Sequence, residues 1–256
     1  MSPLARRNPT IKLAVLTAVS IAAMFLLDPL TPTVLYALGL LAVAVGTRAR
    51  PRALLLAHLP FVLVAFGIFV VNAMTRPGSE IAGAGPIRIT VEGLEVGAAL
   101  AMRTLVIGVL VIGFIRSTDG VALMTSLHHN ARLPARVTYA VLAGYRMLQE
   151  MPREFSTIRH AHAVRSPRDD GRPPRSPRAL GGMIFTLLVV SLRKGERMAM
   201  ALESRGLGLA PRTTWRPTPV RAADWLMLAA VLAVVGAVLV ASWLAGTLRG
   251  PGALFG

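Results

Sequence analysis

Residues 53–74 read ALLLAHLPFVLVAFGIFVVNAM, a run of 22 residues without Asp, Glu, Lys or Arg. As an α-helix this run is about 33 Å long, enough to cross a hydrocarbon layer about 30 Å thick. No water in that layer can pair with peptide groups, and the run lacks the alternation of a barrel strand, so a helix is its only viable spanning form. Four more apolar blocks surround it, at residues 10–27, 32–46, 93–115 and 223–248. The block at 32–46 is the short one, at the lower edge of a spanning length. Asp28-Pro29, Pro32, Pro51 and Pro77-Gly78 punctuate the blocks. The expected fold class is an all-α integral membrane protein with about five transmembrane helices.

Composition agrees with this reading. Hydrophobic residues make up 54% of the 256 residues and charged residues 16%, against about 25% charged in soluble domains; the mean hydropathy is +0.60. The absence of cysteine excludes disulfides, zinc–thiolate sites, iron–sulfur clusters and cysteine nucleophiles. Arg6, Arg7 and Lys12 ahead of an apolar run imitate a secretory signal, yet the run ends at Asp28-Pro29 with no small-residue cleavage site, so the segment is expected to be retained.

The formal charge of +16 is unevenly placed. Arg6, Arg7 and Lys12 open the first block, Arg48, Arg50 and Arg52 join the second to the third, and a dense basic group follows the fourth. The link after the first block has no Lys or Arg, the link after the third has Arg76 and Arg88, and the final tail has Arg249. Cationic residues near helix ends stay in the cytoplasm, so this alternation predicts a cytoplasmic N-terminus and an outside C-terminus. Three regions follow: a transmembrane region of four helices over 1–115, a cytoplasmic helical module over 116–222, and a last transmembrane helix with its tail over 223–256.

In the module, Thr118 to Ala131 reads as one helix, Pro134 starts another that runs toward Glu150, and Pro152 at a first-turn position starts a third that reaches Arg165-Ser166. Pro167 and the DDGRPP stretch at 169–174 stop it, and a fourth helix runs from Pro177 to Ser204, with Gly206 as a helix stop. Two basic helices therefore end on the same plan, Val164-Arg165-Ser166 and Ser204-Arg205-Gly206.

These two triplets resemble the helix ends of the transmembrane (T) component of energy-coupling factor transporters, the family that includes the membrane subunits of cobalt, nickel and biotin uptake systems. The likeness extends through Asn8-Pro9 with Lys12, Arg103, Thr118-Asp119, Leu133-Pro134 and Arg146 followed by Pro152. Its longest stretch is Leu187 to Gly208, with Ser191, Glu196, Ala199, Ala201, Glu203, Arg205 and Gly206 in the family's places. Val164 and Ser204 stand where alanine is commoner, and Ser166 where glycine is.

The resemblance implies that Val164, Arg165 and Ser166, with Ser204, Arg205 and Gly206, contact two ATP-binding cassette ATPase subunits. It further implies a small substrate-binding membrane protein as partner, a vitamin or transition-metal ion as cargo, and the plasma membrane as location. No catalytic residues and no cofactor are implied. Arginine suits such tips, because its planar guanidinium offers five donors and stays ionised in an interface. The only lysines, Lys12 and Lys194, lack the glycines of a phosphate loop, so ATP must bind another subunit.

Arg103 is a candidate intramembrane polar site, since charge at membrane depth is costly. Glu95 is about 12 Å away along the helix axis, which favours snorkelling or a partner on another helix. His160 with His162, and His128-His129, lack the further ligands a metal site needs, so no metal is expected. Arg168 to Arg178 alternate with proline and no aromatic residue, which argues against nucleic acid and for membrane lipid. The alternatives are a self-contained secondary transporter, which would show repeats or several intramembrane ionisable groups, and a membrane-embedded enzyme, which would need converging catalytic groups.

Overall fold

The structure is a computed structural model that describes residues 2–84, 87–165, 176–209 and 217–247. In chain order it contains a 3-10 turn (Leu4–Arg6), α1 (Pro9–Met24), α2 (Leu30–Thr47), α3 (Pro51–Thr75), β1 (Glu80–Ala84), β2 (Ile87–Thr90), α4 (Val91–Ser117), α5 (Gly120–Asn130), α6 (Ala135–Val164), α7 (Pro177–Ser204) and α8 (Ala222–Leu244). The chain divides into two compact units, one of residues 1–119 with 219–256 and one of residues 120–218.

In the first unit the helix starts are chemically marked. Asn8 Oδ1 accepts the Thr10 N–H at 2.9 Å ahead of Pro9 in the first turn of α1. Thr90 Oγ1 accepts the Gly93 N–H at 3.1 Å and donates to the Arg76 carbonyl at 3.0 Å, so one hydroxyl starts α4 and ties it to the end of α3. Buried Asp224 caps α8 by accepting the Arg221 N–H at 2.9 Å, and also accepts the Asn8 N–H at 3.1 Å. The starts of α1 and α8 are thereby joined. Lys12 Nζ then donates to the Ser117 carbonyl and hydroxyl at 2.7 and 3.3 Å, which brings the end of α4 to the same pole.

The bundle is built around α4, whose apolar window is 44% buried against 6% for α8. Its small residues permit the approach. A Cβ on Gly108 would lie 2.7 Å from the Phe61 ring of α3, and one on Gly113 would lie 2.6 Å from Val43 Cγ2 of α2. Three buried clusters pack along it, one of them Val19, Leu35, Val106 and Val235 with Leu26, and Tyr36 lies against all three. The outward faces carry exposed large apolar residues such as Leu55, Leu56 and Leu226 at 69–71% exposure, the expected surface for a helix bundle that meets lipid.

Among the described residues, four helices are long and apolar enough to cross a membrane: α2, α3, α4 and α8. The short block expected at 32–46 gains residues at both ends and becomes the 18-residue α2, while the first block shortens to the 16-residue α1. Even so, α1 starts beside Asp224 at the head of α8, and Thr31, just past its turn into α2, hydrogen-bonds Ser242 near the end of α8 at 2.6 Å. The segment from Asn8 to Thr31 therefore covers nearly the depth of a helix that is itself long enough to cross.

The all-α class holds, with one small addition, the antiparallel hairpin β1–β2 between α3 and α4. Its Ile-Arg-Ile-Thr strand has the alternation of a short strand, and Ser79 is pinned next to it by its N–H and hydroxyl donating to the Glu92 carboxylate at 2.8 and 3.0 Å. A correction concerns the other unit. Pro152 does not start a helix: α6 runs unbroken through it from Ala135 to Val164. Proline forfeits one intrahelical hydrogen bond and crowds the carbonyl four residues before it, and here the surrounding helix is retained.

Replacing Gly113 with Leu forces a side chain into Val43. The expected outcome is a loss of about 1–3 kcal/mol, read as a lower unfolding temperature of the detergent-solubilised protein.

Candidate functional site

In the second unit α6 and α7 pack side by side, and three contacts define how. The Arg136 guanidinium lies against Gly208, where a Cβ would be 2.6 Å from Nε; Lys194 meets Glu150 and Glu154; and a Cβ on Gly182 would lie 3.9 Å from the His162 ring. All three belong to one antiparallel register. The end of α7 is therefore beside the first turn of α6, and the end of α6 beside the first turn of α7. Ser176 Oγ starts α7 by accepting the Ala179 N–H at 3.3 Å, with Pro177 in the first turn.

At the middle of this pair Lys194 Nζ donates to Glu150 Oε2 at 2.6 Å and to Glu154 Oε1 at 2.8 Å. The two carboxylates straddle Pro152, on one face of α6 at a four-residue spacing. The cation thus clamps α6 on both sides of the point where its backbone has lost a hydrogen bond. The hydrogen bond from Lys194 and then its charge hold the Glu150 carboxyl below the ordinary carboxylate range, and the hydrogen bonds to Glu150 and Glu154 push the Lys194 ammonium above the ordinary lysine range. The side chains keep 29% (Lys194), 55% (Glu150) and 36% (Glu154) of their surface, so salt weakens the clamp.

The two ends differ in how they close. Gly206, at φ 79°, donates its N–H to the Glu203 carbonyl at 2.9 Å, and the Leu207 N–H reaches the Leu202 carbonyl at 3.0 Å. This is a Schellman cap, and it needs glycine at the left-handed position. Arg205 is the C-cap residue, exposed, directly before that turn, and Ser204 is the last helical residue, exposed beside it. At the other end Arg165 is the exposed C-cap of α6, its N–H bonded to the Ala161 carbonyl at 3.3 Å, and Val164 is 88% exposed. Ser166 and residues 167–175 lie outside the described residues. With 1.5 Å per residue and the register above, Arg165 and Arg205 are separated by about 39 Å along the pair.

Arg103 belongs to the first unit and the two triplets to the second. Its guanidinium donates to the Met24 carbonyl at 3.3 Å, in the last turn of α1. A cation at that position meets the negative end of the α1 dipole.

Residues 1–215 match the family model described as CbiQ, cobalt transport protein. The chain belongs to the CbiQ family. Two relatives named energy-coupling factor transporter transmembrane protein EcfT agree with this. That of Heliobacterium modesticaldum is 27% identical over 94% of this chain and 93% of its own length, and that of Thermosediminibacter oceani 25% over 91% and 92%. A putative ABC transporter ATP-binding protein of Bifidobacterium longum is 26% identical over 86% of this chain, which spans 30% of that longer protein. This CbiQ-family chain is a multi-pass membrane component of an energy-coupling factor transporter.

Two features of the CbiQ-family chain escape sequence reasoning. The Lys194 clamp has a faint signature, two glutamates four apart around a proline and a single lysine on the next helix, but a partner on another helix cannot be read from spacing. The second is a ridge on α7, where Leu180, Ile184, Leu188 and Leu192 recur every four residues at 46–64% exposure.

The depressed Glu150 makes the clamp fully effective above the ordinary carboxylate range and lost as pH falls through its lowered value; the raised Lys194 makes it effective below the ordinary lysine range and lost as pH rises through its raised value. The expected profile of α6–α7 packing is a plateau with losses at acidic and strongly alkaline pH. Because the chain has no cysteine, nitroxide labels attached at neutral pH to His162→Cys and Gly182→Cys report it: the short distance between them, read by electron paramagnetic resonance, holds across the plateau and broadens outside it, and Lys194→Met broadens it throughout. A pair at 162 and 197 gives a long distance at every pH.

Proposed function

We propose that this T component couples two ATP-binding cassette ATPase subunits to a small substrate-binding membrane protein, in an importer for a vitamin or a transition-metal ion. The observation that carries the reading is the pair of exposed arginines at opposite ends of one clamped helix pair. Val164, Arg165 and Ser166 make one contact, and Ser204, Arg205 and Gly206 the other. A separation of about 39 Å suits two subunits better than one groove. Each guanidinium enters a groove lined by carboxylate or carbonyl oxygens, where its planar donors bind in pairs.

ATP-driven closure of the ATPase subunits displaces the tips, and helices tied at Lys194 take up the displacement as a stiff body. The name of the Bifidobacterium longum relative, an ATP-binding protein, supports the ATPase side of this reading. The exposed ridge of Leu180, Ile184, Leu188 and Leu192 supports the other side, since a regular apolar stripe on a helix fits an apolar partner. In this reading the module and the N-terminus are cytoplasmic, the C-terminus is outside, and the membrane is the plasma membrane, in keeping with the arginines at 6, 7, 48, 50 and 52.

Charge reversal tests the contacts. Arg205→Glu and Arg165→Glu each weaken co-purification of the ATPase subunits on the order of 30-fold or more, the effect of breaking a buried charged hydrogen bond at an interface. Membrane insertion is unchanged. Undiminished ATPase association and uptake in the double variant would overturn the role of both tips.

A further inference from the structure

A cavity of about 390 Å³ opens in the first unit between α1, α2, α4 and α8. Its lining is apolar except at one end, where Lys12 is bonded to Ser117, and Leu4 of the N-terminal turn also lines it. Its floor is the buried cluster of Val19, Leu35, Val106 and Val235. From Ser117 to Val106 it runs along α4 for about 16 Å, half of a hydrocarbon layer about 30 Å thick. The cavity therefore has about the depth of one leaflet, with its polar end at the end of α4 and its floor near the middle of that helix.

The exposed charge around the mouth is cationic, while the buried Asp224 carboxylate at the head of α8 lies close enough to act on Lys12. Leu4 lies against the end of α2, where a Cβ on Gly46 would be 3.5 Å from Leu4 Cβ. Arg6 and Arg7 follow Leu4 after a single alanine, and Arg48 caps α2 two residues beyond Gly46. Arg6 and Arg48 are exposed, and Lys12 contributes a buried ammonium whose donors reach Ser117. A long apolar slot with a cationic rim is complementary to a molecule with an apolar chain and an anionic head.

We propose that this cavity binds one acyl chain of an anionic phospholipid from the leaflet on the arginine-rich side, with the headgroup phosphate held by Arg6, Arg7 and Arg48. The chain fills the slot between α1, α2, α4 and α8 and completes the packing of α8, the helix of the bundle with the least buried apolar window. The assignment needs only that the bundle lies in a bilayer and is independent of the ATPase contacts.

Native mass spectrometry of the full chain in mild detergent, titrated with phosphatidylglycerol or phosphatidylcholine, tests it. The expected result is one phosphatidylglycerol per chain, preferred over phosphatidylcholine. Ala42→Phe and Ala230→Phe place rings in the slot from exposed lining positions. Denying the chain the burial of about two methylenes already weakens binding about tenfold, so both variants shed the lipid.

The triple variant Arg6→Gln, Arg7→Gln, Arg48→Gln leaves the slot intact and loses the preference for phosphatidylglycerol, which keeps the test decisive if a plugged variant fails to fold. Equal retention by folded plugged variants, or the same preference in the triple variant, would overturn the proposal. So would wild-type protein that binds the two lipids alike. Co-purification of ATPase subunits stays at the wild-type level in all of them, so failure of the lipid site and failure of the coupling reading give different results.

Discussion

The constraint on which the rest of this structure depends is that a peptide group in hydrocarbon must find its hydrogen bond within the protein. It turns each long apolar run into a helix and leaves the polar devices for the ends. Thr90 starts α4 and holds α3, Asp224 starts α8 and holds α1, and Lys12 joins α1 to the last residue of α4. Each spends a side-chain donor or acceptor on a backbone group that the neighbouring helix end leaves open. Arg103 acts in the same way on the last turn of α1.

Between those ends there is little hydrophobic drive for one helix to prefer another over lipid, so close fit decides the packing. Gly108 and Gly113 admit Phe61 and Val43, and α4 becomes the central helix for that reason. Fit is less complete on the side of α1 and α8, where the slot between the helices remains. The cationic rim above it belongs to the same arginines that the distribution of charge along the chain brings to one pole.

The second unit follows different physics. Its helices α6 and α7 are held by an antiparallel register in which a guanidinium on a glycine, a lysine between two glutamates and a histidine beside a glycine succeed one another along the pair. Pro152 weakens the α6 backbone in the middle of that length, and the Lys194 clamp spans the same turn. The arginine ends therefore stand apart at the two extremes of one body. In the proposed coupling role, that arrangement supports two separate contacts more than the identity of either triplet does.

The membrane class, the apolar helices, the span of α7 from Pro177 to Ser204 and the helix stop at Gly206 were all legible in the amino-acid sequence. Run length, proline and glycine act on their own stretch of chain. Less legible were the hairpin β1–β2, two strands of only four or five residues, and the continuity of α6 through Pro152. The sequence by itself determined which segments are helices and where their charges lie. Only the tertiary structure decided that Lys194 meets Glu150 and Glu154, that Arg103 meets Met24, that Arg165 and Arg205 stand at opposite ends, and that a slot lies beneath Arg6 and Arg48. The physical reason is that a partner far away in the chain is selected by the register of packed helices, and no local pattern carries that register.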